Sequence, residues 1–230
     1  MTQEDVQTAT LTLHFVRHGE TLWNCERRMQ GQLYEVPLSD LGREQAREIA
    51  SSLASVPAQA LYSSDLLRTL ETARAISEAT GLPVIEEPAL RERHFGVLQG
   101  RLYGDMLEEV EHAWRNPDVR PEGGESWRDV YDRAAGFLER LRAETSSLTD
   151  LPNTPSTGGE PFARRANHAP LQSAPADASP QRDLILVTHG GTLNMICAYL
   201  EGIPVEALEW QRFENCAVKT IVLDSESTTR

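Results

Sequence analysis

Two apolar runs dominate the pattern of this chain, and each ends in a histidine followed by glycine. The first, Leu11 to Val16 (Leu-Thr-Leu-His-Phe-Val), leads into Arg17-His18-Gly19-Glu20. It carries β-branched and aromatic residues with no breaker, the pattern of a buried strand. The second, Leu184 to Val187, leads through Thr188 into His189-Gly190-Gly191. Further strands are expected near 59–63, 82–86 and 217–223, beside 11–17 and 183–188. Helical periodicity marks 39–55, 65–80, 103–115, 126–145, 191–201 and 204–210. Ser39 is a plausible cap for the first helix, whose inner face is Leu41, Ala46, Ile49, Ala50 and Leu53. Gly81 and Pro83 punctuate the end of the second. Strands alternating with helices predict a mostly parallel sheet covered on both faces.

Ligands in such sheets bind at the carboxyl ends of the strands, which is where both His-Gly pairs fall. Arg17 offers a planar fork of donors for phosphate or carboxylate. His18 is suited to be a nucleophile, a general base or a metal ligand, and Gly19 permits a sharp turn. Two strands ending in His-Gly bring two imidazoles together if they are neighbours.

The sequence resembles the histidine phosphatase superfamily, the group related to phosphoglycerate mutase. Arg17-His18-Gly19-Glu20-Thr21-Leu22-Trp23-Asn24 is similar to its opening signature, and Met29-Gln30-Gly31-Gln32 with Pro37-Leu38-Ser39 to its next loop. Tyr62 to Ala73 resembles the segment with a second phosphate-binding arginine, here Arg68. Leu90-Arg91-Glu92-Arg93-His94-Phe95-Gly96 with Gln99-Gly100 resembles the loop with the proton donor. Gly123-Gly124-Glu125-Ser126 and Thr188-His189-Gly190-Gly191 complete the set, which spans most of the chain.

The resemblance implies a single α/β domain over residues 1–230, a three-layer α/β/α sandwich of the phosphoglycerate mutase type. It implies His18 as nucleophile, Glu92 as proton donor and acceptor, and His189 as transition-state stabiliser. Phosphate contacts fall to Arg17, Asn24, Gln30, Gly31, Arg68 and Gly190. Phosphoryl transfer spreads charge over three equatorial oxygens, so a cationic cradle, an in-line nucleophile and an acid are the parts required. Glu20 is a nearer carboxylate, but beside Arg17 it is expected to pair with a cation and stay ionised. Arg68 is expected to follow a Ser-Ser-Asp helix cap and point back toward a bound anion, with Arg74 on a solvated face. His14 is expected to be packing, and the roles of His94, His112 and His168 stay open.

The net charge of −13 and the lack of a basic face argue against a nucleic-acid partner. Three cysteines, Cys25, Cys197 and Cys216, form no metal spacing and suit a reducing compartment. No run approaches the roughly 18 apolar residues of a membrane span, and the start lacks a signal-peptide layout. A cytoplasmic setting is expected, with a small phosphate ester as partner. No cofactor or metal is expected, and a homodimer is one option for assembly.

Segment 87–125 lacks strand pattern and is expected to form a lid or side lobe. The stretch from about 146 to 182, rich in Pro, Ser, Thr, Ala and Gly, reads as a solvated insertion. Glu35-Val36-Pro37-Leu38 and Val97-Leu98-Gln99 depart from the family pattern and are expected to alter the pocket wall. Two enzymatic readings share the chemistry: a phosphatase passes the phosphoryl group to water, a mutase returns it to the substrate. The cofactor-dependent mutases carry a long basic insertion after the proton donor. Here that region is short and followed by Glu108, Glu109 and Glu111, which favours the phosphatase. A non-catalytic binding module on the same fold is the contrasting reading. It predicts loss of His18, Glu92 or His189, and all three are present.

Overall fold

The computed structural model describes residues 10–147 and 181–224. Most of the expected 146–182 insertion, together with His168, lies outside the described residues. Five strands form one sheet in the order β3-β2-β4-β1-β5. They are β1 (Thr10–Arg17), β2 (Ala58–Ser63), β3 (Val84–Glu86), β4 (Gln181–Thr188) and β5 (Val218–Asp224). β1, β2, β3 and β4 are mutually parallel, and β5 pairs antiparallel with β1 at one edge.

Side-chain alternation sorts the strands into two cores. Leu13, Phe15, Tyr62, Leu184 and Leu186 face one side, with Phe137, Leu138, Leu193 and Ile196 packed on them. Val16, Leu61, Ile185 and Val187 face the other, against Ala50, Leu53, Ala73 and Ile76. The first set of helical residues belongs to α5 (Trp127–Ser147) and α6 (Gly190–Leu200). The second belongs to α2 (Asp40–Leu53) and α3 (Leu67–Thr80). The result is the expected three-layer sandwich, because a strand buried on both faces needs apolar residues of both parities.

A third cluster holds the side lobe. Met29, Phe95, Leu98, Met106 and Val110 pack with Trp127, Met195 and Val205. The lobe is built of single 3₁₀ turns and α4 (Leu107–Arg115), with no strand. A short helix, α1 (Leu22–Cys25), follows the first histidine, closed by a reciprocal cap between Thr21 and Asn24.

Several details depart from the sequence expectations. The helix expected at 204–210 is one 3₁₀ turn, Val205–Ala207. Pro204 precedes it, and Leu208 has already left helical geometry. Helix α3 starts at Leu67, with Leu66 at its cap and no side-chain cap bond. Asp65 is diverted into an ion pair with Arg91, and Ser64 bonds a histidine. His14 is more than packing: its Nε2 lies 3.0 Å from Asp183 Oδ1 and its Nδ1 3.1 Å from Thr220 Oγ1. That polar bridge ties β1 to both neighbours. Glu20 accepts from the Ser39 hydroxyl at 2.9 Å instead of pairing with a cation.

Ser39 does cap α2, accepting from Gly42 N–H at 3.0 Å. The helix start is pressed against the chain just after His18. A Cβ on Gly42 would fall 2.0 Å from the Glu20 carbonyl oxygen, and one on Gly19 would fall 2.5 Å from the Gly42 carbonyl oxygen. Two backbones meet there with no room for a side chain on either. Gly→Ala inside an exposed helix ordinarily stabilises by up to about 1 kcal/mol. Here Gly42→Ala is expected to destabilise by about 2 kcal/mol, because backbone rather than a flexible side chain must give way. Urea unfolding of the two proteins checks this; an unchanged or raised midpoint would contradict the contact.

Candidate active site

Parallel pairing of β1 with β4 sets Arg17 opposite Thr188. The residues one step on are therefore also neighbours, and His18 N–H donates to the Thr188 carbonyl at 3.0 Å. The two imidazoles meet edge to face with ring centroids 5.2 Å apart. His18 is 4% exposed and His189 fully buried.

Each ring has one nitrogen engaged and one left over. His18 Nδ1 lies 2.7 Å from the Gly19 carbonyl oxygen, so Nδ1 carries the proton and Nε2 keeps a lone pair. Burial holds His18 well below the usual imidazole range, and the charges of Arg68 and Arg17 push it further. It is a neutral imidazole in a cationic surround. His189 is lowered likewise by burial, then by Arg68 and His18. Its Nε2 lies 3.0 Å from Ser64 Oγ, and its buried Nδ1 has no partner. Ser64 Oγ already accepts from Leu66 N–H at 3.4 Å. When the Ser64 hydroxyl donates to Nε2, His189 carries its proton on Nδ1, which then faces the site as a donor.

The arginines are anchored from behind. Arg68, 1% exposed, donates to the Gly31 carbonyl at 2.7 Å and the Leu33 carbonyl at 3.3 Å. Its Nε is buried without a partner, and burial lowers it to about 10. Arg17 donates through Nη1 to the Phe213 carbonyl, and its Nε is also without a partner. Gly190 lies against it: a Cβ there would sit 3.5 Å from Arg17 Nε. Two unsatisfied guanidinium donors and the unpartnered His189 Nδ1 around one neutral imidazole suit an anion with several acceptor oxygens.

Glu92 sits at the start of α6. Its Oε2 accepts from Gly191 N–H at 2.9 Å, and its Oε1 from Arg93 N–H at 2.9 Å and the Thr192 hydroxyl at 3.3 Å. The Trp127 ring and the Glu92 carboxylate would lie 2.5 and 2.6 Å from a Cβ on Gly191, so only glycine lets them approach α6. Asn24 Oδ1 is spent on Thr21 N–H and the Thr21 hydroxyl, each at 3.0 Å. Only its Nδ2 is left to face a ligand. The Gln30 side-chain oxygen is buried without a partner, and the Gly31 carbonyl belongs to Arg68. Gln99 packs under this turn, accepting from Gln32 N–H at 2.7 Å. The departure from the family pattern at 97–99 thus reaches the site through Gln99, whereas Val97 is exposed.

The structure brings His18 and His189 together with Arg17, Arg68, Glu92 and Gly190; Gly31 joins them through Arg68 and Asn24 through Asn215, and Gln30 precedes Gly31 in the chain. Among the described residues no group of three or more His, Cys, Asp or Glu could hold a metal ion. No helix among them is long and apolar enough to cross a membrane. Of the open histidines, His94 accepts from Gly96 N–H at 3.0 Å within its own turn, and His112 lies exposed on α4.

A family model for the histidine phosphatase superfamily (branch 1) matches residues 13–151 and 148–229. The chain belongs to the histidine phosphatase superfamily. It is thereby an enzyme of the phosphatase class. It is 33% identical over 217 residues to a probable phosphoglycerate mutase of Cronobacter sakazakii, spanning 92% of this chain and 84% of that protein. A probable phosphoglycerate mutase of Yersinia pestis is 35% identical over 214 residues, with the same coverage. Among solved structures, the mycobacterial glucosyl-3-phosphoglycerate phosphatase matches with TM-score 0.71 and 32% identity, covering 93% and 90% of the two chains. The alpha-ribazole phosphatase of Shigella flexneri matches with TM-score 0.65 and 27% identity, covering 91% and 89%.

Sequence reasoning missed the residues that hold this histidine phosphatase site from outside its motifs. Asn215 Nδ2 donates to the His18 carbonyl at 3.0 Å, and Cys216 N–H to the Arg17 carbonyl at 3.0 Å. Both lie almost 200 residues from their partners, and no local pattern announces them. Tyr103, raised to about 12 by burial, lies close enough to feel both Glu92 and Arg17. Its hydroxyl is therefore neutral at the edge of the site.

Both histidines are harder to protonate folded than unfolded. Their contribution to stability is thus present above the unfolded value of about 6.5 and lost as pH falls below it. Urea unfolding between pH 7.5 and 5 is expected to show stability falling by at most about 1.4 kcal/mol per pH unit for each histidine. His18→Gln is expected to flatten that slope; an identical slope would contradict the buried neutral imidazole.

Proposed function

We propose that this enzyme is a metal-independent phosphomonoesterase that works through a phosphohistidine. The single observation that carries the reading is His18 itself. Its Nδ1 proton is committed to the Gly19 carbonyl, while Nε2 is left over among Arg17, Arg68 and the unpartnered His189 Nδ1.

In the first step His18 Nε2 attacks phosphorus and the bond to the leaving oxygen breaks. Glu92, entering as the acid, gives its proton to that oxygen. The Gly19 carbonyl steadies the imidazolium character that develops on His18. In the second step the Glu92 carboxylate takes a proton from water, whose oxygen attacks phosphorus as the P–N bond breaks. Phosphate leaves, and His18 returns to neutrality. Splitting the reaction in two lowers the barrier of each half. The donors on the equatorial oxygens serve both halves alike.

A small phosphorylated metabolite of the sugar-phosphate or phosphoglycerate type is the proposed substrate, acted on in the cytoplasm. The two structural relatives named as phosphatases of small esters support that class. The relatives named as probable phosphoglycerate mutases favour the second reading, a mutase. Against mutase chemistry stands the short region after Glu92, where α4 carries Glu108, Glu109 and Glu111 in place of a basic insertion.

Phosphate release from a panel of phosphorylated metabolites, with excess chelator present, tests the assignment. Wild type is expected to hydrolyse some of them, and His18→Ala to lose at least about 10³-fold in rate together with the acid-labile phosphoenzyme. Near-normal turnover by His18→Ala would end the nucleophile assignment. Glu92→Gln is expected to lower kcat/KM for alkyl phosphates about 10²-fold or more, and far less for p-nitrophenyl phosphate, whose leaving group needs little acid. Equal losses on both would remove Glu92 from the acid role.

A further inference from the structure

The loop that carries Glu92 is gripped from the side opposite its carboxylate. Gln32 Nε2 donates to the Glu92 carbonyl at 2.9 Å and to Glu125 Oε2 at 3.0 Å. Arg133, on α5, donates through Nη2 to the same Glu92 carbonyl at 3.1 Å and through Nη1 to the Ala89 carbonyl at 2.6 Å. Glu125 binds both of these donors: Arg133 Nε lies 3.1 Å from its Oε1. Its Oε2 also accepts from His94 N–H at 2.9 Å. One carboxylate therefore orients two side chains onto the Glu92 carbonyl and holds the backbone two residues further on.

We propose that Glu125, acting through Gln32 and Arg133, is the positioning residue of the proton donor. It touches neither substrate nor reacting atoms. It fixes the peptide of Glu92 so that the carboxyl reaches the leaving oxygen, and it rests on the acid role given to Glu92 above. The geometry favours this over a general stabilising role. The side-chain contacts of the three converge on residues 89, 92 and 94. A backbone carbonyl held by two charged or amide donors from one side cannot rotate, and the side chain it carries inherits that constraint. General acid catalysis depends on sub-ångström placement, so loosening the peptide weakens proton transfer before it weakens phosphate binding. Gln32, Glu125 and Arg133 also line a cavity of about 450 Å³ on that side of the loop. An isosteric change there meets open space instead of a packed core.

The test compares kcat/KM for a series of phosphate esters graded by leaving-group acidity, in wild type, Glu92→Gln, Glu125→Gln and Gln32→Met. kcat/KM is read because it reports phosphoryl transfer to His18, the step that uses the acid. Glu125→Gln is expected to lose about ten-fold on alkyl phosphates and under about two-fold on p-nitrophenyl phosphate. That is the signature of Glu92→Gln at smaller amplitude. Gln32→Met is expected to follow with the same tilt. A merely structural residue would lower both esters by the same factor, and that result would overturn the proposal. Should Glu125→Gln fail to fold, Gln32→Met alone decides between tilt and no tilt. A wild type that hydrolyses no ester fails the phosphatase reading itself. A tilt in Glu92→Gln without one in the clamp variants fails only the clamp.

Discussion

Everything in the site hangs on the register between β1 and β4. The two strands run parallel with Val16 beside Val187 and Arg17 beside Thr188, so the chain delivers His18 and His189 to the same sheet edge side by side. A slip of one residue would turn one imidazole to the other face. The register is secured below the site by two apolar cores of opposite parity and by His14, which bridges Asp183 on β4 and Thr220 on β5. Catalytic geometry is here a by-product of strand packing. The site needs no device of its own to bring its two histidines together.

Burial then does the chemical work. Desolvation is the largest influence on His18, His189 and Arg68, and in every case it disfavours the charged form. The imidazoles answer by staying neutral, which leaves a lone pair on His18 and an unpartnered nitrogen on His189. The arginines keep their charge, and each is braced by loop carbonyls, with one donor still unspent. A dianion entering this cavity meets hydrogen-bond donors that need no rearrangement. An overall charge of −13 is no obstacle. The field that matters is set within a few ångströms and little screened, while the surface carboxylates act through water.

Much of this was legible in the sequence, for a physical reason. Strand ends and helix caps are local, so Arg17-His18-Gly19, His189-Gly190-Gly191 and the Ser39 cap could be read from neighbouring residues. What escaped was long-range. Gly42 looks like an ordinary weak point in a helix until Glu20 is seen against it. Asn215 and Cys216 look like loop residues until they close on Arg17 and His18. Asp65 looked like part of a helix cap but was claimed by Arg91, a partner 26 residues away. The short stretch after Pro204 had apolar residues at helical spacing, yet too few to sustain more than one turn once Val205 was buried in the lobe.

The collar from Phe213 to Ala217 joins parts of the chain that lie far apart in sequence. The carbonyls of Arg17 and His18 and the Arg17 side chain are held by Phe213, Asn215 and Cys216. A cut in the backbone between α6 and β5 would therefore separate two kinds of support. The pairing of β1 with β4 would still set the two histidines side by side, while the brace on Arg17 and on the His18 carbonyl would no longer be covalently continuous with that pair.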